Sequence, residues 1–222
     1  MAEKLQTTPG RWDDDPDVQL MLRVREHDDP LAFEQLILRY SPRLLRILKN
    51  QIGNNGSAED LVQEVFLRVY RARKTYKPTA RFSTWLYHIA NNVASNAVRD
   101  RNRRREYQLG AADPDASGVM AMEHIAIAST GSMPLRKLAR NERAEMVRNA
   151  VEALPDRQRM ALLLNKFEQL SYQEIAVIMN MNEKAVKSLL SRARVNVRIC
   201  LEPYINDQPD ARPPTTDPDP QA

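Results

Sequence analysis

Two stretches of the chain collect cationic side chains in a way that suits binding a polyanion. In "FSTWLYHIANNVASNAVRDRNRRRE" (82–106) five arginines fall within seven residues: Arg99, Arg101, Arg103, Arg104 and Arg105. In "MNEKAVKSLLSRARVNVR" (181–198) Lys184, Lys187, Arg192, Arg194 and Arg198 recur, and no acid follows Glu183. Guanidinium and ammonium groups donate to phosphate oxygens, and an Arg fork also matches the edge of a guanine. An ordinary solvated helix mixes Glu with Lys at four-residue spacing. The missing acids favour nucleic-acid recognition over a merely solvated face. The expected chemistry is non-covalent.

The elements that position these groups follow from periodicity. On a helical wheel for 181–198, Val186, Leu190, Ala193 and Val197 form one stripe, widened by Leu189 and Ala185. Lys184, Lys187, Ser188, Ser191 and Arg198 lie opposite, with Arg192 and Arg194 on the flanks. Small hydroxyls beside long donors suit entry into a major groove. Upstream, "LSYQEIAVIMNMN" carries Ser171 and Glu174 at capping-box spacing. Asn180 and Met181 make a tight turn, since Asn tolerates the left-handed conformation, and Asn182 caps the next helix. A short helix, a turn and a second helix form a helix-turn-helix plan.

In 82–106 the buried stripe is Leu86, Ile89, Ala90, Val93 and Ala97. Trp85, His88, Asn92, Ser95, Asn96 and Arg99 share another side. Amides and an aromatic followed by arginines suit separated DNA strands, with base contacts at one end and phosphate contacts at the other. Trp85 fits either a stacking platform or a core ring. In "AEDLVQEVFLRVYR" (58–71), Leu61, Val65, Phe66 and Val69 point inward, while Asp60, Gln63, Glu64, Leu67 and Arg71 cluster opposite. That face reads equally as plain surface or as a dock for a helical partner.

The remaining chain is helical in pattern almost throughout. Segment 18–29 is short and amphipathic. Asp29 with Pro30, and again Ser41 with Pro42, are cap-and-first-turn signals for two further helices, the second stopping at Gly53. Ser57 caps the helix that follows, and "KPTAR" breaks it. No stretch alternates with a strand's period. The fold class expected is all-α: two small helical domains joined by a flexible linker. The divisions are a disordered N-terminus (1–16), a first domain (17–107), a linker (108–134) with a brief helical turn at 120–127, a second domain (135–202) and a disordered Pro/Asp-rich tail (203–222). The linker is expected to add little stability, so the two blocks should resist proteolysis as separate fragments.

Bulk properties narrow the function classes. The net charge is +4, with 33 Lys and Arg against 29 Asp and Glu. The single cysteine, Cys200, excludes an internal disulfide and fits a reducing cytosol. No export signal and no apolar run of membrane-spanning length is read, so a cytoplasmic location without membrane insertion is expected. His27, His88 and His124 stand apart from carboxylates or Cys at metal-ligand spacing. No phosphate-cradling Gly loop or nucleophile elbow occurs. Neither catalysis, a metal nor a cofactor is expected.

Taken in order and spacing, three segments resemble the bacterial RNA polymerase sigma factors of the sigma-70 family, extracytoplasmic-function group. "AEDLVQEVFLRVYRA" resembles the core-polymerase-binding helix of region 2. "FSTWLYHIANNVASNAVRDRNRRR" resembles the promoter-melting and minus-ten-reading helix. "LPDRQRMALLLNKFEQLSYQEIAVIMNMNEKAVKSLLSRARVNVR" resembles region 4, the minus-thirty-five reader. The resemblance covers 18–201. It implies that Asp60, Gln63, Glu64 and Leu67 meet the polymerase clamp helices, with region 4 on the flap. It implies that the loop 77–83, with Lys77, Arg81, Phe82 and Ser83, cups a flipped base. Trp85, Asn92, Asn96, Arg99 and Arg103 would then follow the adjoining strand. Lys184, Lys187, Ser188, Ser191 and Arg192 would face the minus-thirty-five groove, and Arg194 a phosphate. The sequence departs from the family at Asn180, where Gly is frequent, and at Ala185, where a hydroxyl residue is common. The partners implied are core RNA polymerase, promoter DNA and an anti-sigma factor, and the regulon implied is one of stress or the envelope. The alternative from the residues alone is a stand-alone helix-turn-helix regulator that footprints duplex DNA without polymerase.

Overall fold

The computed structural model describes Trp12, residues 14–53, 57–110 and 135–206. Among these residues there are eight α-helices and no strand. The helices are α1 (Pro16–His27), α2 (Pro30–Ile52), α3 (Ala58–Ala72) and α4 (Phe82–Gly110) in the first block. The second block holds α5 (Leu135–Glu152), α6 (Asp156–Phe167), α7 (Tyr172–Ile178) and α8 (Glu183–Asn206). A single turn of 3₁₀ helix, Arg73–Thr75, follows α3. No helix among the described residues is long and apolar enough to cross a membrane.

Local sequence explains most helix starts. Asp15 accepts from the Asp17 amide at 2.9 Å and Pro16 fills the first turn of α1. Asp29 accepts from Leu31 and Ala32 at the head of α2. Ser57 Oγ accepts from the Asp60 amide at α3. Each side chain satisfies amides that the first turn of a helix leaves without partners. At the other end of α2, Gly53 takes φ 70° and ψ −170°, a conformation that only glycine adopts without strain.

One expected break is absent. The Ser41–Pro42 pair was expected to start a new helix, yet α2 runs unbroken through it. Pro42 removes the hydrogen bond to the carbonyl of Leu38, and both residues lie on the exposed face, where solvent can reach the freed carbonyl. Across the same stretch Ala32, Leu36, Tyr40, Leu44, Ile47 and Leu48 are all buried. Each buried Leu or Ile contributes about 1.5–3 kcal/mol, enough to hold one straight packing stripe against a single proline.

The first block is a bundle of α1–α4 around an aromatic cluster. Tyr40, Tyr76, Trp85 and Phe82 pack edge-on or tilted, with ring centroids 4.8 to 6.3 Å apart. Trp12, expected in a disordered N-terminal segment, packs against this core. The linker residues 111–134, including the turn expected at 120–127, and the tail from 207 lie outside the described residues.

The two blocks are not independent. Helix α2 packs on α6 and α5, and α4 packs on α7. Their buried residues form one continuous core. Sequence alone leaves open whether the two blocks touch; in the structure they share this contact. Its cause is visible on α4, where Tyr87 is buried beyond the expected stripe and meets Glu168 of the second block. One face of α4 meets its own bundle and another meets the second block, so a single-stripe wheel understated its contacts.

Candidate nucleic-acid interface

The helix-turn-helix forms as its sequence predicts. Ser171 and Glu174 make a reciprocal capping box: Glu174 N–H donates to Ser171 Oγ at 3.2 Å, and Ser171 N–H donates to Glu174 Oε2 at 2.9 Å. Asn180 takes φ 49° in the turn. Asn182 Oδ1 accepts from the Ala185 amide at 2.7 Å, fixing the start of α8. Val186, Leu190 and Ala193 are fully buried, while Val197 is half-buried. Lys184, Lys187, Ser188, Ser191, Arg192 and Arg194 are all exposed. Arg192 donates to Ser188 Oγ at 2.8 Å, one turn back along the helix. Arg194 donates to Tyr172 Oη at 3.2 Å, so it leans toward α7 and away from the open face. Arg192 therefore stays along the exposed side of α8, while Arg194 is drawn to its flank.

On α4, Asn92, Ser95, Asn96, Arg99 and Arg103 are exposed along one side. Asn92 Nδ2 lies 3.3 Å from His88 Nε2, and His88 Nδ1 lies 2.9 Å from the Ile178 carbonyl. A carbonyl can only accept, so His88 Nδ1–H donates to Ile178. Arg101 stands apart from its neighbours: it donates to the Ile52 carbonyl at 2.5 Å and closes the end of α2. One of the five clustered arginines is therefore structural.

The loop ahead of α4 divides. Lys77 is exposed and Ser83 half-buried. Arg81 is exposed, sits 5.4 Å from the Trp12 ring centroid and lies 3.9 Å from Glu174. Phe82 does not belong with them. It is 0 % exposed within the aromatic cluster and cannot touch a base, which corrects its placement among the minus-ten contacts. Trp85 is half-buried against Tyr76 and Phe82, so the core reading of this ring holds in part.

On α3, Asp60, Gln63 and Leu67 are exposed, and Leu67 keeps 43 % of its surface. Glu64 is half-buried beside them and pairs with Arg68 at 2.6 Å. The inward set is Val62, Val65, Phe66 and Val69. An acidic, partly apolar strip therefore stands clear of the bundle core.

Residues that the sequence did not single out hold the blocks together. The Glu168 side chain is 1 % exposed, with Arg43 Nε at 3.0 Å and Arg46 Nη2 at 3.2 Å. Tyr87 Oη donates to Glu168 Oε2 at 2.5 Å. Burial first, and then the neighbouring Glu168 carboxylate, push the Tyr87 phenol well above its ordinary value, so it stays a donor. Arg159 is buried and donates to the carbonyls of Gln51, Val151, Glu152 and Leu154, and Gln51 donates to the Asp156 carbonyl at 3.1 Å. Spacing along the chain gives no sign of these pairs, because Tyr87 and Glu168 meet across 81 residues.

An exposed helix-turn-helix on one block and an amide- and arginine-lined helix on the other define an all-helical, two-block DNA-binding protein. Comparison with known proteins narrows the class. The Sigma-70 region 2 family matches residues 36–104, and the Sigma-70, region 4 family matches 144–197. The RNA polymerase sigma-H factor of Pseudomonas aeruginosa is 33% identical over 193 residues, covering 86% of this chain and 96% of that protein. The ECF RNA polymerase sigma-E factor of Escherichia coli is 32% identical over 192 residues, covering 84% and 95%. Among solved structures, CnrH in complex with the cytosolic domain of CnrY superposes with a TM-score of 0.61 at 21% identity, covering 85% of this chain and 99% of that one. The sigma factor RpoE of Bartonella quintana, in complex with the anti-sigma factor NepR, gives 0.57 at 24%, covering 77% and 96%. At those identities the structural likeness is one of fold. The chain belongs to the extracytoplasmic-function sigma factors of the sigma-70 family.

Proposed function

We propose that this sigma factor docks on core RNA polymerase through the α3 strip and reads promoter DNA with α4 and α8, as a non-catalytic, cytoplasmic subunit. In this reading Asp60, Gln63, Glu64 and Leu67 meet the polymerase. Lys77, Arg81, Ser83, Asn92, Asn96, Arg99 and Arg103 follow the minus-ten strand. Lys184, Lys187, Ser188, Ser191 and Arg192 enter the minus-thirty-five groove, and Arg194 takes a phosphate. Residues 17–107 and 135–202 act as the region 2 and region 4 units. An anti-sigma factor is the natural negative regulator, and a stress or envelope regulon the natural output. The observation that carries the reading is the coexistence of two DNA-suited faces and one acidic docking strip, all exposed, in a chain that spans nearly the whole length of its sigma-factor relatives.

Charge reversal tests the docking strip. Asp60→Arg with Glu64→Arg should abolish co-purification with core polymerase. The folding cost should stay within about 0.5 kcal/mol each, since neither side chain is in the core and the Glu64–Arg68 pair is a half-exposed one. Wild-type recovery of the complex would show that another face does the docking.

A further inference from the structure

We propose that Glu168 is the latch of a closed, promoter-incompetent form of the free chain, and that it must release before both promoter elements are engaged. The inference rests on the sigma-factor reading and goes beyond it.

The argument starts from reach. Elements centred at minus ten and minus thirty-five are about 25 base pairs apart, about 85 Å along the duplex at 3.4 Å per step. In the structure α4 packs on α7, and α7 packs on α8. Two stacked helix layers separate the readers by about 20 Å. Even the full length of α4, 29 residues, comes to about 44 Å. The closed chain cannot place its two readers on the two elements at once. Residues 111–134, at about 3.4 Å each, allow a separation of about 80 Å, so the covalent chain does not forbid opening.

Glu168 carries the closure because of what surrounds it. Its carboxylate is removed from water and receives Tyr87, Arg43 and Arg46, all from the first block, while Glu168 itself belongs to the second. A carboxylate buried against two guanidinium groups is held only while all its partners stay; removing one side is strongly unfavourable to the contact. His88 against the Ile178 carbonyl and Arg81 against Glu174 extend the seam along α4. Asp60, Gln63 and Leu67 are exposed in this closed arrangement. Polymerase therefore has a docking strip available before the latch opens, and promoter engagement follows release.

Glu168 is not needed to fold its own block. The turn after α6 is held by the Leu170 amide on the Leu164 carbonyl and by Asn165 Nδ2 on the Leu170 carbonyl at 3.1 Å. Glu168→Lys therefore places a cation beside Arg43 and Arg46 without breaking that turn. The test is a distance measurement on the full chain, with spin labels at Cys200, which is exposed on α8, and at Leu38→Cys, whose parent residue is 69 % exposed on α2. The free protein should give one short distance. Glu168→Lys should shift the closed-to-open ratio by about tenfold or more toward a long one. Arg43→Glu with Arg46→Glu, added to Glu168→Lys, should restore the short distance. Holoenzyme on a DNA from which it initiates should give the long distance for every version. A Glu168→Lys chain that stays short, a charge swap that fails to close it, or a short distance in the initiating complex would each overturn the proposal. Failure of the wild-type chain to co-migrate with core polymerase would instead refute the proposed docking, and the free-chain distances would still decide the latch.

Discussion

At the scale of single residues the molecule sorts cations by what holds them. Arg192 donates to Ser188 on its own helix, and both residues are exposed. Arg194 is drawn sideways to Tyr172, a position that under the proposed reading suits a backbone phosphate. Arg101 is spent on the end of α2. The distinction makes a measurable difference. Arg192→Ala should cost about 1–3 kcal/mol at its preferred promoters and change which minus-thirty-five sequences are used. Arg194→Ala should weaken all promoters alike and lower the salt slope by about one. A promoter library transcribed at two salt concentrations separates them; an unchanged ranking with both variants would reduce α8 to an electrostatic anchor. Much of this was legible beforehand, because exposure of a charged residue on an amphipathic helix follows directly from the wheel. The Tyr172 and Ile52 contacts were not, because they depend on which helix lies alongside.

At the scale of elements, capping chemistry was read correctly where it was local. Ser171 with Glu174, Asn182, Asp29 and Ser57 all perform as their spacing predicts. The readings that failed are those where packing outweighed a local signal. Pro42 was expected to start a helix, but the buried stripe on either side of it carries α2 straight through. The family resemblance places Phe82 in the base-cupping loop 77–83, yet Tyr40, Tyr76 and Trp85 pack around it. Phe82→Ala should therefore cost about 3–5 kcal/mol of stability, read by thermal or denaturant unfolding. Phe82→Leu should recover most of the stability and should initiate at the same promoters as wild type. A Phe82→Ala protein of wild-type stability that had lost only DNA melting would return this ring to the DNA.

At the scale of the whole molecule, sequence supplied two blocks, their order and their DNA faces, but not their contact. Interfaces between blocks are built from side chains far apart in sequence, and Glu168, Tyr87, Arg43 and Arg46 carry no spacing that announces them. The consequence for proteolysis is specific. Cleavage within 111–134, a Gly- and Pro-bearing stretch, should leave two fragments that elute together on size exclusion. Fragments that separate at once would mean the interface is too weak to close the chain. The central claim, that this sigma factor gives core polymerase its promoter choice through faces on both blocks, is tested most directly by run-off transcription on a genomic library, with footprinting in parallel. The account predicts initiation at a discrete set of sites only when core polymerase and the chain are both present, with no tight footprint from the chain alone. Tight, two-fold footprints by the isolated chain, or no site-specific initiation when it joins core polymerase, would contradict it.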